Sequence, residues 1–188
     1  MGEYRRNVPT ALGVMAVVSA AALVASCSAG EETREYAVPD KVCGISVAPK
    51  LVQPLLPPGK SIDAGESLTG PDDTQRCAVL IDDDTAVDIT GQRYPDALGA
   101  KDIALNYLGV PADELGQTNA DDSVMAWDSR IVGVTECTGY PTDAAGRSTK
   151  RYSIMIEASH PVDATARQKA LELLLPQYLK AAARALGC

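Results

Sequence analysis

The sequence predicts an α+β fold: an antiparallel sheet of four to five strands packed by a long C-terminal helix and one or two shorter helices. Three observations predict it. Ala170, Leu171, Leu174, Leu175, Tyr178, Leu179, Ala182 and Leu186 form an apolar stripe at helical spacing near the end of the chain. Tyr152, Ile154 and Ile156 alternate with Arg151, Ser153, Met155 and Glu157, the period of a half-buried strand. Short polar breaks, Asp82-Asp83-Asp84 and Asp128-Ser129, separate neighbouring apolar runs, and such breaks make hairpins and therefore antiparallel pairs.

In chain order, Leu51, Val52, Leu55 and Leu56 mark a short amphipathic helix over Pro49 to Leu56, opened by a proline and stopped by Pro57-Pro58-Gly59. Lys60 to Arg76 is a polar loop. Cys77 to Ile81 and Ala86 to Thr90 are strands joined by the Asp82–Asp84 turn. Asp96 to Leu108 carries Leu98, Ile103, Leu105, Tyr107 and Leu108 and ends at Gly109, which predicts a helix. Val124 to Trp127 and Arg130 to Cys137 are a strand pair or one bent strand around Asp128-Ser129. After a Gly/Pro/Ser/Thr-rich connection, Lys150 to Ala158 is a strand. The helix from Val162 has Asp163 as N-cap, Pro176 in its interior as a kink site, and Gly187 just past its end, where left-handed geometry is needed. The helices are expected on one face of the sheet.

The balance of 25 acids against 17 bases gives a formal charge of −8, and no Lys/Arg-rich run occurs. Nucleic acid is therefore not an expected partner, because phosphate binding needs basic patches that release counterions. Polybasic adsorption to membranes is excluded on the same ground, so membrane contact must be covalent or inserted. One Trp, seven Tyr and no Phe leave few stacking platforms for sugars or bases.

The first residues supply an address. Arg5 and Arg6 precede a run of 16 small or apolar residues, Thr10 to Ala25, a charged region followed by the hydrophobic core of an export leader. The run falls short of the roughly 18 to 20 residues of a comfortable membrane span. Arg5-Arg6 lacks the surrounding residues of a twin-arginine signal, so the general export route is the default. Val24-Ala25-Ser26-Cys27 follows, and it resembles the lipobox of bacterial lipoproteins. The resemblance implies that the Cys27 thiol receives a diacylglyceryl group and that cleavage before it makes Cys27 the new N-terminus. The expected organisation is a signal peptide over 1–26, a lipidated cysteine and flexible tether over 27–40, and one disulfide-stabilised domain over 41–188. Cleavage removes one glutamate and two arginines, which moves the formal charge from −8 to −9.

With Cys27 assigned to lipid, Cys43, Cys77, Cys137 and Cys188 remain, an even number in an exported chain, and two disulfides are expected. No Cys-x-x-Cys occurs, so neither a zinc ribbon nor a thioredoxin-like redox motif is supported. Three connectivities are open. Cys43 with Cys77 and Cys137 with Cys188 is favoured, because each pair links a strand-like segment to a helical one that must pack on it.

Catalytic and metal signals are weak. His160 is the sole histidine, and adjacent Ser159 is badly placed as its nucleophile because neighbours in an extended chain point to opposite faces. Gly-x-Ser-x-Gly, His-Glu-x-x-His and the P-loop pattern are absent. Asp82, Asp83, Asp84 and Asp88 are the densest acidic cluster but lack the spacing and glycine of a calcium loop, and they are read as a solvated turn, as are Asp72-Asp73 and Asp121-Asp122. No metal, cofactor or catalytic residue is expected. Trp127 is expected in the core, with Tyr94 and Tyr140 as loop aromatics. Leu171 to Leu175 could line an apolar groove, although core packing accounts for its spacing.

The lipobox, Val42-Cys43-Gly44-Ile45, Leu51 to Pro58, Cys77-Ala78-Val79 and Leu186-Gly187-Cys188 together resemble the small lipoproteins of actinobacteria. That resemblance implies a cell-envelope location and a disulfide-bonded α+β domain, and supplies no substrate. The expected function is a non-catalytic binding or accessory module on the outer face of the cell membrane, held by the diacylglyceryl cysteine, with an envelope protein or small ligand as partner. The alternatives are an envelope hydrolase working through paired Asp carboxylates and a ligand-sensing domain for a membrane partner.

Overall fold

The computed structural model describes residues 33–68, 74–116, 119, 121–137 and 149–188, and among them eight strands and three α-helices form. Lys41–Val42 (β1) and Ile45–Ser46 (β2) make a small ribbon, followed by Pro49–Val52 (α1) and a single 3-10 turn, Gln53–Leu55. Then come Ile62–Asp63 (β3), Thr74–Ile81 (β4), Asp84–Tyr94 (β5) and Ala100–Asn106 (α2). Val124–Trp127 (β6), Arg130–Glu136 (β7), Arg151–Ala158 (β8) and Ala164–Leu186 (α3) complete the chain. The main sheet has the order β3-β4-β5-β8-β7-β6, antiparallel throughout.

The class is α+β, and the sheet has six strands rather than four to five. The extra strand, β3, and both strands of the ribbon are two residues long, too short to carry a period. The turns form as expected. Asp82 and Asp83, with φ of 50° and 71°, close the β4–β5 hairpin, which suits the mirror-image turn that matches strand twist and that Asp tolerates. Asp128, with φ of 44°, turns β6 into β7, so this segment is a strand pair and not one bent strand. Strand β5 runs on past Gly91 to Tyr94 because β8 pairs with it throughout. The second helix starts only at Ala100.

Helix α3 packs on β7 and β8 through Ala170, Leu171, Leu174, Leu175 and Tyr178, in one core cluster with Val79, Ile89, Ile131, Ile154 and Ile156. Asp163 accepts a hydrogen bond from the Ala166 amide as its N-cap, and Gly187 ends it with φ of 78°. The helix continues through Pro176. Gly133 lets it approach β7: a Cβ there would stand 2.9 Å from Leu175 Cδ2 and 3.1 Å from Leu179 Cδ2. The buried Tyr178 hydroxyl donates to Val42 O at 3.0 Å.

The expectation that helices lie on one face is corrected. In β7, Ile131 joins the α3 core while Val132 and Val134 join a second cluster with Ile103 and Ala104 of α2, Met125 and Trp127. Alternate residues of a strand point to opposite faces, so α2 covers the reverse of the sheet at its β6–β7 end. The run Ile131-Val132-Gly133-Val134 has no polar alternation, as expected of a strand buried on both sides.

Residues 34–38, read as part of a free tether, lie on the body instead. Arg34 forms a parallel bridge with Gly59, and Tyr36 and Val38 pack against the main core. No helix among the described residues is long and apolar enough to cross a membrane.

Candidate functional site

The disulfides are Cys43–Cys77 and Cys137–Cys188, with Cα separations of 5.9 and 4.3 Å. The second joins the end of β7 to the end of α3, a strand to a helix. The first differs from the reason given for it, since Cys43 sits in the β1–β2 turn, with φ of 53° followed by Gly44 at 75°, and not on a helix. Both Cys43 and Cys137 are fully buried. Cys27 lies outside the described residues, as do Asp72, Asp73 and Tyr140.

A cleft of about 520 Å³ opens at one end of the sheet. Antiparallel pairing builds it. Val87 faces Ala158 and Arg130 faces Glu157, so the start of β5, the end of β8 and the Asp128–Ser129 turn meet there. Its walls include Thr85, Asp88, Ser129, Glu157, Ser159 and Arg167.

The register sets Ala78, Asp88, Glu157 and Arg130 in one row across four strands, on the face that α2 leaves open. Directly opposed carboxylates repel. Glu157 is answered by Arg130 through two hydrogen bonds, Nε to Oε2 at 2.8 Å and NH2 to Oε1 at 3.2 Å. Burial pushes the Asp88 carboxyl above its ordinary range, and Glu157 adds to this against the pull of Arg76 and Arg130. On the other wall Arg167 donates from NH1 to the carbonyls of Pro161 (2.8 Å) and Val162 (3.3 Å), and its NH2 stands 4.0 Å from Asp128 Oδ1. Its Nε is buried with no partner among the described residues.

The acidic cluster read from the sequence divides in two. Asp88 belongs to the cleft. Asp82 is more than solvated: its carboxylate accepts from the amides of Lys60 (3.0 Å) and Ser61 (2.8 Å), which hold its pKa below the ordinary value. Asp122 likewise accepts from the Lys101 amide at 3.0 Å, and Asp121 from the Ser123 amide at 3.2 Å. Among the described residues no group of His, Cys, Asp and Glu could hold a metal ion.

His160 does not line the cleft. It follows Ser159 and precedes Pro161 through a cis peptide bond, and partial burial with Arg34 nearby lowers its pKa. Trp127 is 5% exposed, in the core as expected. Tyr94, expected in a loop, ends β5; it is buried and packs edge-on against Tyr107 with ring centroids 4.9 Å apart. Leu171, Leu174 and Leu175 are buried in the core, and Leu173 is exposed.

Sequence reasoning missed Glu157, Arg130 and Arg167. Arg130 and Glu157 stand at the ends of apolar alternations, but only the strand register makes them neighbours. No protein-family model, curated protein or solved structure matches the chain.

Proposed function

We propose that this chain is a lipid-anchored lipoprotein of the actinobacterial type, processed at Cys27, whose domain acts outside the cytoplasmic membrane as a non-catalytic binding or accessory module. One observation carries the reading: both cysteine pairs of the domain are closed as disulfides, the state expected where thiols are oxidised. The leader and lipobox supply the export signal and the anchor, and two acyl chains on one cysteine make membrane attachment stable. The cleft supports binding over turnover. Its carboxylate Glu157 is bound by Arg130 and its Arg167 is held by backbone carbonyls, which fixes these groups where they can orient a small polar ligand.

Membrane fractionation of the wild type and Cys27→Ala, with intact mass measurement, tests the anchor. The wild type should be acylated and sediment with membranes, and the variant should be released; a variant that stays bound refutes covalent anchoring. Native mass spectrometry of the released domain then reads any ligand retained by the cleft.

The opposed Asp88 and Glu157 favour a second reading, an envelope hydrolase in which Asp88, with its raised pKa, gives the proton. The pair is one Asp and one Glu rather than two Asp residues. Turnover of a glycan or ester substrate that Asp88→Asn abolishes would establish this reading in place of the first.

A further inference from the structure

We infer that residues Arg34–Val38 form a strap that shortens the leash and turns the cleft end of the sheet toward the bilayer holding the chain. The inference rests on the lipoprotein reading of Cys27. The strap is fixed by backbone and side chain together. The Glu35 amide donates to Gly59 O at 2.8 Å. The Arg34 guanidinium donates to Gln53 O at 3.1 Å and Leu56 O at 2.5 Å, and its Nε to the Tyr36 hydroxyl at 3.2 Å. That hydroxyl in turn donates to the Pro57 carbonyl. Asp82 locks the next step of the platform through the Lys60 and Ser61 amides.

Chain length then limits where the bilayer can be. A tether free to Asp40 would reach roughly 45 Å, whereas the seven steps from Cys27 to Arg34 reach at most about 25 Å. A domain of this size has a radius of gyration near 15 Å and is about 40 Å across. With the strap docked, the far end of the sheet cannot reach the headgroups.

The end that remains close is the one beside Gly59 and Asp82. The β4–β5 turn, the Asp128–Ser129 turn and the His160–Pro161 connection share it by register, and the cleft opens among them. The cleft therefore opens on the side of the domain nearest the bilayer. Both signs of charge stand at this end, Arg34 and Lys60 beside Glu35 and Asp82.

The test uses the acylated full chain in phosphatidylcholine vesicles doped with a dansyl-headgroup lipid. Trp127, the only tryptophan, ends β6 at the membrane-facing end and serves as energy-transfer donor. One variant carries twelve Gly/Ser residues between Glu31 and Glu32, a coil of roughly 19 Å end to end taken by itself, and transfer should fall at least about twofold. A second, Arg34→Ala with Tyr36→Ala, releases the strap and should lower transfer in the same direction. The insertion leaves the strap in place and calibrates the readout; should the second variant fail to fold, Tyr36→Phe, which removes only the hydroxyl's bonds to Arg34 and the Pro57 carbonyl, replaces it. Transfer from the acylated wild type equal to that from the insertion variant or from the strap variant overturns the strap proposal alone. A wild type that carries no diacylglyceryl group overturns the anchoring reading and this proposal with it.

Discussion

Replacing Cys137 and Cys188 together by alanine removes a cross-link that closes a loop of 51 residues. In the chain-entropy account that closure withdraws about 14 cal/mol/K from the unfolded ensemble, or about 4 kcal/mol at 25 °C. The same arithmetic for Cys43–Cys77, with a separation of 34, gives about 3.8 kcal/mol, so the two double variants should lie within about half a kcal/mol of each other. Set against a typical domain stability of 5–15 kcal/mol, either loss leaves a folded but weakened protein. Urea unfolding of the released domain at neutral pH measures it. With a slope near 2 kcal/mol per molar, the midpoint should fall by roughly 2 M. A midpoint unchanged on mutation, or on reduction of the wild type, would refute the reasoning, because it would mean that the bridge does not constrain the unfolded chain.

Three further outcomes are expected. The Tyr152 hydroxyl is buried without a hydrogen-bond partner among the described residues, so Tyr152→Phe should raise stability by about 1 kcal/mol, seen as a higher melting temperature; a lower one would show that the hydroxyl is satisfied. Asp88 has a folded pKa above its unfolded value of about 3.8, so it holds its proton more tightly when folded, and its contribution to stability declines as pH rises from there through the folded pKa. Asp88→Asn should therefore gain on the wild type across that window in urea titrations at successive pH values, and parallel profiles would contradict the assignment. Gly133→Ala forces a Cβ against Leu175 and Leu179 of α3 and should lower stability by about 1–3 kcal/mol in calorimetry, whereas a neutral change would mean that the helix can shift away freely.

The sequence made the long elements legible where a period repeats. The stripe from Ala170 to Leu186, its Asp163 cap and its Gly187 stop are visible because each follows from local geometry, as is the Asp82-Asp83 hairpin. The cysteine pairing was legible as well, though Cys43 reaches its partner from a turn. Strands β1, β2 and β3 left no trace because two residues have no alternation. Arg34 and Tyr36 looked like solvated tether because docking through hydrogen bonds to the carbonyls of a proline-rich loop has no periodic signature. The cleft was hidden for a different reason. Asp88, Arg130, Glu157 and Arg167 come from four separate elements, and only the strand register and the placement of α3 bring them together.

The strand order has a mechanical consequence. Strands β3, β4 and β5 lie on one side of the β5–β8 ladder, and the Cys43–Cys77 bridge, tied to β4 through Cys77, falls within that half. The strands β6 to β8 and α3 make the other half, which holds Cys137–Cys188. Neither of these two disulfides crosses the seam. Eight residue pairs, from Val87 with Ala158 to Tyr94 with Arg151, and the reach of α3 over α1 and β2 are what join the two stapled leaves. Pulled apart or breathing, the molecule would part along that line, each leaf keeping its own clasp and therefore its own way back.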